Sequence, residues 1–197
     1  MCRFVQKLMW EWGIIGTKHI KTMKELIFYS RKRVMAITFF ASFFGIGTAL
    51  FWENYMGLEP CMLCYLQRGA IYFIVGLSFL GLLHREMSLK AFRTYLSVTL
   101  LSIVMGASLS IRQLYLQSLP DHLVPSCAPD INYLLDTLPI FEVLIMAIQG
   151  DGNCAEILWQ FLGISIPGWL LIAFIFAAIY VLFSLYFSND IRSHEDS

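Results

Sequence analysis

Between residues 53 and 64, and again between 113 and 166, the chain has no lysine and no arginine. Charge is scarce everywhere. Asp, Glu, Lys and Arg make up 14% of the 197 residues, hydrophobic residues make up 58%, and the mean hydropathy is +0.66. So little charge excludes a soluble domain of this size, whose surface needs far more. The sequence also lacks an internal repeat, a low-complexity tract and any composition shift that would mark a separate soluble domain. Residues 1–33 hold no apolar core of the kind a cleavable signal peptide requires, and they are rich in Lys and Arg instead. They read as a cytoplasmic segment in which Met23 is an alternative start, and nothing in the charge pattern calls for nucleic acid.

What the sequence has in abundance is apolar length. A helix that crosses a bilayer needs roughly 20 mostly apolar residues, and four stretches qualify: 34–52, 65–83, 95–111 and 167–187. The expected fold is an all-α membrane protein, a four-transmembrane-helix bundle with two outer loops at about 53–64 and 113–166. Residues 34–187 form the membrane domain and residues 188–197 a short cytoplasmic tail. Of the fourteen Lys and Arg, all but Arg68 and Arg112 fall on one face if both termini are cytoplasmic. The opposite face carries Glu53, Glu59, Asp121, Asp130, Asp136, Glu142, Asp151 and Glu156. Both outer loops therefore face away from the cytoplasm, with Trp52, Trp159 and Trp169 expected near the outer interface.

Four of the five cysteines lie on that outer side. Cys61 and Cys64 close the first loop, Cys127 and Cys154 sit in the second, and Cys2 alone is cytoplasmic. Two structural disulfides are one reading, and the spacing of Cys127 and Cys154 suits a structural bridge. Cys61 and Cys64 enclose only Met62 and Leu63, and so small a ring is strained and easily reduced. A Cys-x-x-Cys at a helix start is instead suited to redox exchange, because free amides and the helix dipole stabilise a thiolate. A zinc site is a weaker competitor, since Cys127 and Cys154 lack the close spacing of a second ligand pair. No metal is expected.

Arg68 and Arg112 break the charge rule near the outer ends of spans two and three. An intramembrane cation is a functional hypothesis, against the alternative of snorkelling to headgroups. Arg68 follows Cys64 by four residues, so the two share a helix face. A fixed cation beside a thiol keeps it reactive, and the same cation can polarise a carbonyl oxygen on a small oxidant in the membrane edge. Further along, "PIFEVLIMAIQG" (139–150) is too short to span and is suited to lying on the membrane surface.

"PCMLCYLQR" together with "GNCAEILWQFLGISIPGWLL" resembles the DsbB/DsbI family of inner-membrane disulfide oxidoreductases, over about residues 34–187. The resemblance implies a monomer in a bacterial inner membrane, with periplasmic cysteine loops and two redox-active disulfides, Cys61–Cys64 and Cys127–Cys154. It implies that Cys127 is attacked by a DsbA-like periplasmic thiol oxidase and that the freed Cys154 attacks Cys61. Cys64 then faces the quinone, ubiquinone or menaquinone, as the thiolate of a charge-transfer complex or adduct that Arg68 stabilises. Some members carry a histidine after the third span. This chain has Arg112 and Gln113 there, so Arg112 is the expected second quinone contact. Two rival readings stay open: a small membrane protein with purely structural disulfides, and a reductant that moves electrons outward.

Overall fold

The computed structural model describes residues 30–57, 60–127, 129 and 131–188. The N-terminal segment through residue 29, with Cys2 and Met23, and the tail from residue 189 lie outside the described residues. Helices α1 (Arg31–Met56), α2 (Met62–Leu83) and α3 (Leu89–Gln117) follow one another closely. A single 3₁₀ turn (Asp121–Leu123) then leads to three short helices, α4 (Ile131–Thr137), α5 (Ile140–Gln149) and α6 (Gly152–Ala155). A two-stranded hairpin, β1 (Gln160–Phe161) and β2 (Ile164–Ser165), precedes the last helix, α7 (Ile166–Tyr186). Helices α1, α2, α3 and α7 are each long and apolar enough to cross a membrane.

Local sequence sets the boundaries. Gly57 ends α1 in the left-handed conformation that glycine adopts without strain. The Ser88 hydroxyl accepts the Ala91 N–H and caps α3. Pro167 stands in the first turn of α7, where its missing N–H costs nothing. The hairpin pairs Gln160 with Ser165 and Phe161 with Ile164, and both intervening residues, Leu162 and Gly163, have positive φ. That is the turn geometry whose twist matches a two-residue β-connection. The real helices overrun the expected spans. Glu53 belongs to α1, Cys64 to the first turn of α2, and Arg112 and Gln113 to α3. The long segment between α3 and α7 holds three short helices, because its apolar residues need a surface to cover.

Helix α3 lies between α2 and α7, and α1 packs on the far side of α2. Their shared core runs from Val34 and Met35 through Phe92, Leu96 and Ile103 to Phe174 and Val181. Large apolar side chains also point outward, Phe40, Phe44, Phe73 and Phe176 among them, as lipid contact requires. Small hydroxyl residues turn inward. Buried Thr38, Ser110 and Ser184 bond carbonyls one turn back on their own helices, and Ser102 reaches across to Ala70 O on α2 at 3.0 Å. Such residues let membrane helices approach closely.

The Phe174 ring of α7 packs directly onto Gly106 of α3. A Cβ there would lie 2.4 Å from the Phe174 ring. Gly106→Val is expected to cost about 1–3 kcal/mol by overpacking, read as a lower midpoint of thermal unfolding in detergent. Pairing it with Phe174→Ala should recover part of that loss.

Candidate functional site

All four described cysteines gather at one end of the bundle, and each is a free thiol. Cys61 is the N-cap of α2, with extended backbone, so its sulfur stands at the positive end of that helix. Cys64 is one turn further in, and the two sulfurs are 2.9 Å apart. Gln113 on α3 bridges them. Its Nε2 donates to Cys61 Sγ at 3.3 Å and to Cys64 Sγ at 3.4 Å. Its Oε1 accepts from Gln67 Nε2 at 3.0 Å, which turns the amide hydrogens toward sulfur. Gln67 is 2% and Gln113 4% exposed, so both amides have left water and depend on these partners.

Cys154 reaches the same place from α6. It is 0% exposed, packed in a small apolar cluster with Leu63, Leu116 and the half-buried Cys61. Contact with Cys154, then with Cys64, and then burial push the Cys61 thiol well above the ordinary thiol range. On its other side, the Cys154 thiol donates to Asp151 Oδ1 at 3.0 Å. Cys127 is exposed, on a segment without regular structure that lies against the start of α6. The Gly152 N–H donates to Ser126 O at 3.3 Å, and a Cβ on Gly152 would lie 3.0 Å from Cys127 Sγ. Glycine is what lets that segment lie so close.

Arg68 continues the Cys64 face one turn deeper. Its guanidinium pairs with Glu53 on α1 and reaches Ala49 O at 3.4 Å. Arg112 points elsewhere. Its Nη2 and Nε donate to the carbonyl of Gln149 at 3.0 and 3.3 Å, holding the C-terminal end of α5. Helix α5 buries Val143 and Ala147 against Met62 and Leu134 and leaves Ile140, Phe141, Leu144 and Ile148 exposed. An aromatic row closes the same end: Trp52 against Trp159 at 4.6 Å, then Phe161 and Trp169, whose indole donates to Phe161 O. At the opposite end Arg31 donates to Met87 O and Arg93 to Ser188. Among the described residues, no group of three or more His, Cys, Asp or Glu is arranged to hold a metal ion.

The sequence thus pointed to every cysteine and to Arg68, but Gln67, Asp151, Glu53 and the role of Gln113 escaped it. A signal existed for Gln67. It is a polar residue inside an apolar span, on the helix face of Cys64.

Four apolar helices carrying a cluster of thiols at one end define a multi-pass membrane protein of thiol chemistry. The chain belongs to the DsbB family: the model for "Disulfide bond formation protein DsbB" matches residues 31–184. It is 42% identical over 150 residues to disulfide bond formation protein B of Marinobacter nauticus, covering 74% of this chain and 88% of that protein. The same-named proteins of Acinetobacter baylyi and Saccharophagus degradans are each 40% identical. The first match covers 74% of this chain and 85% of the relative, the second 73% and 86%.

Proposed function

We propose that this chain is a quinone-dependent thiol:disulfide oxidoreductase that reoxidises a DsbA-like periplasmic thiol oxidase. The observation that carries this reading is the packing of half-buried Cys61 against the cluster that holds buried Cys154, which supports a path inward from the exposed Cys127. A thiolate of the soluble partner attacks Cys127, and the Cys127–Cys154 bond breaks with the electron pair leaving on Cys154. Cys154 then bonds to Cys61, and the pair moves on to Cys64. The partner's second thiol resolves its mixed disulfide and releases Cys127, which closes again on Cys154 and frees Cys61.

The residues at the lip suit a quinone. Cys64, the Arg68 guanidinium and the Gln113 amide supply a sulfur and hydrogen-bond donors, while exposed Leu50, Phe51 and Tyr65 supply apolar surface at the same level. A bound quinone supplies a two-electron sink that returns Cys61 and Cys64 to the disulfide. Arg68, steadied by Glu53, would offer positive charge to an oxygen of a quinone held at this lip. Arg112 acts at the same end through its hold on α5. In this reading the loops face the periplasm of a bacterial inner membrane, both termini are cytoplasmic, and the protein acts as a monomer. The charge asymmetry of the loops supports that orientation.

Thiol trapping in intact cells, with and without quinone synthesis, tests the reading. Both pairs should be oxidised when quinone is made and reduced when it is not. Pairs that stay oxidised in both conditions would leave only structural disulfides.

A further inference from the structure

Cys154 carries a proton that must leave before its sulfur can attack, and no bulk water reaches it. The sulfur is fully buried, among Leu63, Leu116 and Leu119. Among the described residues, its thiol points at one acceptor outside the cysteines, Asp151 Oδ1, at 3.0 Å. Asp151 is itself only 6% exposed. Asn153 Nδ2 donates to its other oxygen, Oδ2, at 2.9 Å and so fixes the carboxylate plane.

The ordinary use for an aspartate at this position would be to cap a helix. Asp151 is the N-cap residue of α6, yet its side chain makes no capping bond. Only its backbone carbonyl serves the turn, accepting the Cys154 N–H at 3.0 Å. The carboxylate has given up the backbone N–H groups it would normally satisfy and has turned to sulfur instead. A buried carboxylate spent on a thiol is a costly arrangement unless the thiol needs it.

We propose that Asp151 is a catalytic residue, the base that takes the proton of Cys154 as that sulfur attacks Cys61. The step rests on the electron path proposed above. The proton passes from Cys154 Sγ to Asp151 Oδ1, a bond forms between Cys154 and Cys61, the Cys61–Cys64 disulfide breaks, and the electron pair leaves on Cys64. The departing sulfur meets the Gln113 amide, so a proton acceptor stands behind the attacking sulfur and a hydrogen-bond donor before the leaving one. The same carboxylic acid returns its proton when Cys154 is next expelled from Cys127, so no net proton stays in the site. Helix α6 packs against α2 and α3. The ionisable groups at this end of those elements are Cys61, Cys64, Tyr65 and Arg68 on α2, Arg112 and Tyr115 on α3, and Glu156 directly after α6, with Cys127 on the segment against Gly152.

The test needs no quinone. Full-length Cys127→Ser protein in detergent is oxidised with one equivalent of a dipyridyl disulfide, which accepts the two electrons at acid pH where protein thiol exchange is frozen, to close Cys61–Cys64 and leave Cys154 free. Raising the pH starts the exchange, and maleimide trapping with mass spectrometry follows the Cys61–Cys154 bond. Adding Asp151→Asn should slow its appearance about 10²-fold near neutral pH, with the gap narrowing as rising pH lets hydroxide replace the carboxylate. Asp151→Glu should keep most of the rate. Equal rates for Asn and Asp, a slowing that is the same at every pH, or a Glu variant as slow as Asn would each overturn the assignment. If the parent protein forms no Cys61–Cys154 bond at all, the electron path itself fails, whatever Asp151 does.

Discussion

Cys127→Ser is expected to reduce oxidation of a soluble dithiol partner to the background of direct thiol exchange, while Cys61 and Cys64 are still oxidised normally by added quinone. The reason is access. Cys127 is exposed, whereas Cys154 has no surface through which a partner sulfur could approach in line. Serine keeps the volume of cysteine and leaves the contacts of Gly152 with Pro125 and Ser126 undisturbed, so the fold should be retained. Stopped-flow oxidation of a reduced DsbA-like protein measures the first half of the expectation, and thiol trapping after a quinone pulse measures the second. Partner oxidation at the normal rate would move the entry point away from Cys127.

The second large effect is expected at Gln113. Gln113→Leu removes the one amide that donates to both sulfurs of the first pair. Loss of such a donor to a charge that develops in a dry site costs about 10²–10³-fold in rate. It also strands Gln67, whose buried Nε2 loses its acceptor, at a further cost of about 1–3 kcal/mol in stability. The two effects separate in the double variant Gln67→Leu/Gln113→Leu. With neither amide left unsatisfied, thermal stability in detergent should return close to that of the parent, while quinone reduction stays slow. Recovery of both together would make the amide pair purely structural.

The four helices were legible because a bilayer imposes length and composition on each segment by itself. The cysteines were legible because a Cys-x-x-Cys at a helix start has few other uses in an apolar protein. Helix ends were less so: α1 runs on to Met56 and α3 to Gln117, since polar residues such as Glu53 and Gln113 find partners inside the bundle rather than in water. What the sequence could not announce was any pairing across helices. Gln113 reads as one more polar residue near a span end until α2 brings Cys61, Cys64 and Gln67 beside it. Asp151 reads as one acidic residue among eight on the lysine-free face until its carboxylate is found at the Cys154 thiol. The hairpin was hidden for a related reason. Its turn places Leu162 at positive φ, which a bulky side chain seldom adopts and which local preference argues against.

The separation of an exposed Cys127 from a buried Cys154 has a consequence for how such a protein survives among small reductants. Glutathione and similar molecules can touch the outermost sulfur, but Cys154 behind it is sheathed in leucine like an insulated wire. On the proposed path, current enters through a donor large enough to grip the terminal and hold it open while the charge moves inward. Leakage is thus limited by architecture rather than by potential.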